Sequence, residues 1–371
     1  MTEQPLLETY QLGPAALSNR MVMAPMTRTR AFANGVPSKM MLTYYAQRAS
    51  AGLIITECTR VSEQAHGIMN SPGLYDLRQI QGWRGITNAV HRKQGKIYAQ
   101  LWHCGRVTHS SMLGGETPVA PSALPLNGGL RTPKGPLEFE TPRALSTQEI
   151  SGIVEDFRMA ARSAMAAGFD GVELHGAYGY LIDQFLQDSS NHREDRYGGS
   201  VLNRCRLALE IAEAVASVCG PELVGFRVSP STRAHGMLDS DPVATFGTLA
   251  RELSAMSIGY LHVMEPSPED LATDTVKVTR TTQALRPLFK QTVITNVGYD
   301  RVTGNEAISL GLADLVAFGK PFISNPDLPD RFRFDLPLCP WDSTKFYGYN
   351  RSGYTDYWSA AELQFYSWPM Y

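Results

Sequence analysis

Short apolar runs alternate with longer amphipathic stretches along most of the chain. The runs RMVMAP (residues 20–25), GLIITE (52–57), KIYAQLW (96–102) and GVELH (171–175) come first. LVGFRVS (223–229), YLHVM (260–264), TVITN (292–296) and DLVAFG (314–319) follow. Each is brief and mostly apolar, which reads as a strand buried on both faces. Between them, SKMMLTYYAQRA, NRCRLALEIAEAVASV and PVATFGTLARELSAM place apolar residues at helical spacing. Ser146 followed by Glu149 reads as a capping box opening a further helix that ends at Gly168. Eight strand–helix repeats predict the α/β class and a closed (β/α)8 TIM barrel. A doubly wound open sheet is the alternative, but no GxGxxG follows the first strand.

One connection is long: residues 104–142, rich in Gly, Pro, Ser and Thr, follow the third strand. A loop of that length in a compact domain acts as a cap over a site or stays flexible. Residues 340–371 are dense in aromatics and are expected to pack back onto the body. No short repeat and no linker divides the chain, so residues 1–371 read as a single domain.

Composition narrows the function. Hydrophobic content of 43% and charged content of 19% describe an ordinary soluble protein. A net charge of −2, with dispersed Lys and Arg, offers no basic field for nucleic acid or an anionic membrane. No apolar run approaches the roughly 20 residues needed to span a bilayer, and the first residues show no secretory pattern. The five cysteines, Cys58, Cys104, Cys205, Cys219 and Cys339, include no CxxC pair. That argues against a disulfide framework, a zinc site or an iron–sulfur cluster, and for a reducing, cytoplasmic compartment.

In this fold chemistry collects at the C-terminal ends of the strands. Those ends carry Pro25, Met26 and Thr27, then Cys58, then Gln100 and Trp102, then His175, Arg227 and Asn296. Each alone has a packing explanation; together they form a ring of donors with few acids. No paired carboxylates stand there for a metal or for glycoside hydrolysis. After the seventh and eighth strands, Gly298, Gly319 and Lys320 suit the phosphate site that recurs there in such barrels. A phosphorylated ligand with polar ring edges, read by Gln100 and Arg227, explains the set, and flavin mononucleotide (FMN) fits that description. The stretch DGVELHGAYGYLIDQF (170–185) adds His175, Tyr178 and Tyr180 beside small residues. Either the rings fill space, or one group binds a polar atom and another delivers a proton.

NRMVMAPMTRTRA, YYAQRASAGLIITECT, QLWHCGR, FDGVELHGAYGYLIDQFLQDSSNHREDRYGGSVLNR, FRVSP and DLVAFGKPFISNPDLPDRF carry a resemblance over nearly the whole length. The chain resembles the old yellow enzyme family of FMN-dependent NADPH ene-reductases. That resemblance implies tightly bound FMN with NADPH or NADH as reductant, and a substrate that is an α,β-unsaturated carbonyl compound. It implies that Pro25, Met26 and Thr27 line one side of the flavin and that Gln100 and Arg227 bind its pyrimidine end. Gly298, Gly319 and Lys320 then hold the phosphate. His175 and Tyr178 bind the substrate carbonyl, Tyr180 donates the proton, and Trp102 and Tyr347 shape the substrate pocket.

Four positions depart from the family pattern. Tyr178 replaces the usual histidine or asparagine, and Lys320 replaces an arginine, losing the bidentate fork. Cys58 stands where a small residue usually faces the flavin, either as an inert filler or as a redox-sensitive thiol. Val297, within Asn296-Val297-Gly298, interrupts a turn that is commonly richer in glycine. Three rivals stand beside the reductase: a redox-neutral FMN-bound isomerase or cyclase using Tyr178 and Tyr180, a Schiff-base enzyme built on Lys320, and a flavin-binding scaffold without turnover. The oligomeric state stays open.

Overall fold

A computed structural model of the chain describes residues 4–362. Eight parallel strands close on themselves. They are β1 (Met21–Met23), β2 (Leu53–Ile55), β3 (Ile97–Trp102), β4 (Gly171–Gly176), β5 (Val224–Val228), β6 (Tyr260–Met264), β7 (Thr292–Asn296) and β8 (Leu315–Phe318). Each pairs with its neighbour in sequence, and β8 returns to β1. The outer ring holds α1 (Lys39–Gln47), α2 (Leu77–His91), α3 (Thr147–Ala166), α4 (Val201–Cys219), α5 (Pro242–Ala255), α6 (Thr281–Leu285), α7 (Arg301–Ser309) and α8 (Leu328–Arg333). This is the (β/α)8 barrel that the alternation predicts.

The strands are shorter than some of the apolar runs, for a local reason. Pro25 has no N–H to donate, so the ladder of β1 stops before it and the chain turns over the barrel mouth. The capping box of α3 forms as the sequence indicates: Ser146 Oγ accepts from Glu149 N at 3.2 Å, and Glu149 Oε2 accepts from Ser146 N at 2.8 Å. α3 then buries Ile150, Ile153, Phe157 and Ala160 against the barrel.

Inside the barrel, side chains change character with height. Tyr98 and Tyr260 fill the lower level because Gly171 and Gly225 leave room for their rings. A Cβ at Gly225 would come within 1.9 Å of Tyr260. Below them the hairpin of Tyr10–Leu12 with Ala15–Leu17 packs Leu12 and Leu17 against Val22, Leu53, Ile294 and Leu315, stopping the barrel floor. With the floor apolar, the inward positions two residues higher are free to be polar: Gln100, Glu173 and His262, then His175 and Arg227.

Two segments reach over the mouth. Within 104–142, Val119–Ala120 pairs with Arg143–Ala144, and Gly129–Thr132 forms a hairpin with Gly135–Glu138. Leu126 and Phe139 from this segment pack on a cluster of Cys58, Trp102, Cys104 and Tyr180. On the other side, Arg28 donates to Phe346 O at 2.9 Å and Gly353 O at 2.6 Å. Arg30 donates to Phe346 O at 2.7 Å and Ser352 O at 3.0 Å. These bonds, with Tyr354 stacked on Tyr44 at 4.1 Å, carry Phe346 and Tyr347 to the mouth. Part of the predicted aromatic tail, residues 363–371, lies outside the described residues. Among the described residues no helix is long and apolar enough to cross a membrane.

Phe157 has no exposed surface and anchors the longest helix. Phe157→Ala is expected to lower the free energy of unfolding by about 3–5 kcal/mol, read from urea denaturation followed by circular dichroism.

Candidate active site

The C-terminal ends of the strands surround a cavity of about 300 Å³. Pro25, Met26, Thr27 and Cys58 form one wall, with Gln100, His175 and Arg227 at the inner end. Gly319, where a Cβ would stand 3.5 Å from Met26 Sδ, and Lys320 adjoin that wall, and Tyr178, Tyr180 and Tyr347 complete the lining.

The inner end is organised by Glu173, wholly buried on β4. Its Oε1 accepts from Gln100 Nε2 at 2.8 Å; its Oε2 accepts from His262 Nδ1 at 2.8 Å and Tyr260 OH at 3.1 Å. Burial works against its charge, but His262, Arg227 and Gln100 together hold the carboxyl below the usual carboxylate range. Arg227 spends Nη2 on Asn296 Oδ1 at 2.9 Å, and Asn296 Nδ2 bonds Ala317 O at 2.7 Å. Burial draws the Arg227 guanidinium down while Glu173 opposes it. Its Nε, like His175 Nδ1, is buried without a hydrogen-bond partner among the described residues.

At the opening, burial keeps the Tyr180 phenol well above 10, and it raises Tyr178 as well. Burial, with Arg227 and His262 nearby, holds His175 well below 6.5, so its imidazole is neutral. The His175 and Tyr180 rings meet edge-on at 5.0 Å, and Trp102 backs Tyr180 edge-on at 5.1 Å. The loop carrying both tyrosines rests on Asp183, whose Oδ2 accepts from Gly179 N at 2.8 Å and whose Oδ1 accepts from Gln187 Nε2 at 2.8 Å.

Of the residues expected from sequence, three stand back from the cavity wall. Trp102 is covered by Tyr180, Asn296 lies behind Arg227, and Gly298 turns at φ +82° with open space beside it. Cys58 Sγ lies 3.1 Å from Thr27 Oγ1, and burial pushes its thiol up to about 12, which favours the inert-filler reading. Lys320 is exposed, its ammonium 5.9 Å over the Trp341 ring. The structure adds Arg28, Ile68, Met264, Ile323 and Phe346 to the lining. It also places His235 against both tyrosines, with ring centroids 5.6 Å from Tyr178 and 5.4 Å from Tyr180. Apolar lining leaves no polar signal in a sequence, and His235 sits in a loop without a motif.

The barrel mouth presents buried cationic and amide groups to a pocket walled by methionine, proline and tyrosine, a lining suited to a flat ring with polar edges. Residues 5–338 match the NADH:flavin oxidoreductase / NADH oxidase family. 12-oxophytodienoate reductase 2 of Arabidopsis thaliana is 42% identical over 357 residues, covering 95% of this chain and 95% of that protein. The structure of the old yellow enzyme homologue from Zymomonas mobilis superposes with a TM-score of 0.92 at 41% identity, covering 95% of this chain and 99% of its own. Morphinone reductase does so at 0.92 and 43%, covering 97% and 98%. The chain belongs to the old yellow enzyme family and is an FMN-dependent oxidoreductase served by a nicotinamide reductant. The residues present fit that cofactor. Arg227 Nε is an unpaired buried donor on the cavity wall, and Gln100 Oε1 receives no hydrogen bond from the described residues.

Asp183 and Glu57 are pushed up to about 7 by burial, against the hydrogen bonds each accepts. An unfolded carboxyl titrates near about 4, so between the two values the folded chain holds more protons than the unfolded one. Stability is therefore expected to fall as pH rises through that window and to level off above it. Asp183→Asn should remove part of this slope in guanidinium denaturation run across the window; an unchanged slope would assign the titration to other groups.

Proposed function

We propose that the protein reduces the activated C=C bond of an α,β-unsaturated aldehyde or ketone, with NADPH or NADH as the electron source. The observation that carries this is the pairing of a protonated Tyr180 with a neutral His175 at the mouth of a donor-lined cavity. Pro25, Met26, Thr27 and Cys58 would flank FMN, and Gln100 and Arg227, with Asn296 behind, would meet its polar ring edge. Gly298, Gly319 and Lys320 would hold its phosphate. Bound there, FMN supplies the hydride taken up by the alkene's β carbon.

The chain's own residues do the rest. His175 and Tyr178 donate to the substrate carbonyl oxygen, where negative charge develops as the β carbon is reduced. Tyr180 then gives its phenolic proton to the α carbon, and solvent restores it. Its high pKa makes it an acid at neutral pH and not a base. Trp102 holds the Tyr180 ring, and Tyr347 covers the pocket. The chain works as a single domain, with residues 104–142 as its cap, in a reducing cytoplasmic setting that suits its five free thiols.

The same protonation states weigh against the redox-neutral reading. An isomerase needs a base as well as an acid, and Tyr178 and Tyr180 are both held as acids. A Schiff base on Lys320 would need a desolvated amine, and this one is exposed.

Anaerobic protein as purified should show a flavin spectrum that bleaches with NADPH and returns on adding 2-cyclohexenone. Absence of flavin after soaking in FMN would overturn the proposal. Tyr180→Phe should slow reoxidation by the enone by about 100-fold or more, while bleaching by NADPH keeps its rate in stopped-flow measurements.

A further inference from the structure

Tyr178 adopts φ +61°, the left-handed region that bulky side chains avoid. Such a conformation persists only where its surroundings fix it, and here both of its backbone polar groups are held. Tyr178 N donates to Ser229 Oγ at 2.7 Å, and Tyr178 O lies 2.7 Å from His235 Nδ1. A carbonyl only accepts, so Nδ1 carries the proton. The same imidazole meets the Tyr178 ring edge-on, at 5.6 Å and 81°.

His235 is itself anchored. It too lies at positive φ, +54°. Its carbonyl accepts from Arg106 Nη2 at 3.3 Å, and Arg106 Nη1 reaches Leu124 O of the cap at 3.4 Å. Gly179 leaves space for it: a Cβ there would stand 2.8 Å from His235 Cβ, at a position whose own φ is +74°. Cap, β5–α5 loop and the strained turn after β4 therefore converge on one residue.

We propose that His235 is a positioning residue that clamps the left-handed turn at Tyr178 and so sets how firmly the substrate carbonyl is held. The proposal rests on the carbonyl-binding part given to Tyr178 above. It separates two things a histidine brings: a donor at Nδ1 and a ring against Tyr178. Asparagine places an amide nitrogen close to where Nδ1 stands and tolerates positive φ. Phenylalanine keeps the ring and lacks the donor.

The test compares wild type, His235→Asn and His235→Phe, each first checked for FMN content and thermal unfolding. With NADPH saturating, His235→Phe should raise the KM for 2-cyclohexenone about tenfold, a loss about the size of one hydrogen bond, with kcat changed much less. His235→Asn should stay within about threefold of wild type, as expected if the donor is retained. Crystal structures supply a second readout: Tyr178 should keep positive φ in His235→Asn and leave it in His235→Phe. Wild-type behaviour of His235→Phe, or equal losses in both variants, would overturn the clamp. If wild type reduces no enone, the functional reading fails, and the Tyr178 backbone in the two crystal structures still decides the clamp.

Discussion

A negative charge at the axis of the barrel sets the terms for everything above it. Glu173 has no exposed surface, and an unpaired carboxylate in such a place costs several kcal/mol. The fold answers with groups from three other strands: an amide, an imidazole and a phenol that donate to it, and a guanidinium whose charge opposes its own. Each donor is thereby fixed. Gln100 must present its oxygen elsewhere, because its nitrogen is engaged. His262 must carry its proton on Nδ1. Arg227 is tolerated with little exposure because a counter-charge lies near it. A site that handles electrons and an electron-rich ring needs such preset dipoles, since a group that must turn during reaction loses the benefit.

Above this level the control passes from charge to shape. Tyr178 and Tyr180 are aimed less by their own side chains than by backbone contacts around them: Asp183 on Gly179 N, Ser229 on Tyr178 N. Two of the positions singled out in the sequence illustrate this division. Cys58 is buried against Thr27, and burial raises its thiol. Tyr178 itself stands at a positive backbone angle, φ +61°.

Much of the architecture was legible in the sequence, because a parallel barrel imposes apolar runs at regular intervals. All eight runs became strands, and the capping box at Ser146 fixed the start of α3 within a residue. The donors at the strand ends were legible for the same reason, since strand ends are where this fold places its chemistry. What did not show was anything set by contacts between distant segments. Glu173 reads as one polar residue inside the run GVELH, and only the inward register of four strands explains it. Trp102 and Asn296 were found, but their distance from the cavity depends on Tyr180 and Arg227 standing in front of them. His235 belongs to a loop whose path no periodicity encodes.

The way Arg28 and Arg30 hold the segment from Lys345 to Gly353 has a bearing on how such a pocket diversifies. Their bonds to that segment go to main-chain oxygens at Lys345, Phe346, Asn350, Ser352 and Gly353, never to a side chain. Main-chain oxygens are the same whatever residue bears them. The roof of the cavity is thus fastened by its backbone while its two ring-bearing positions, Phe346 and Tyr347, stay free to be exchanged. A lineage, or an engineer, can redraw what the pocket admits by changing those two letters without loosening the strap that carries them.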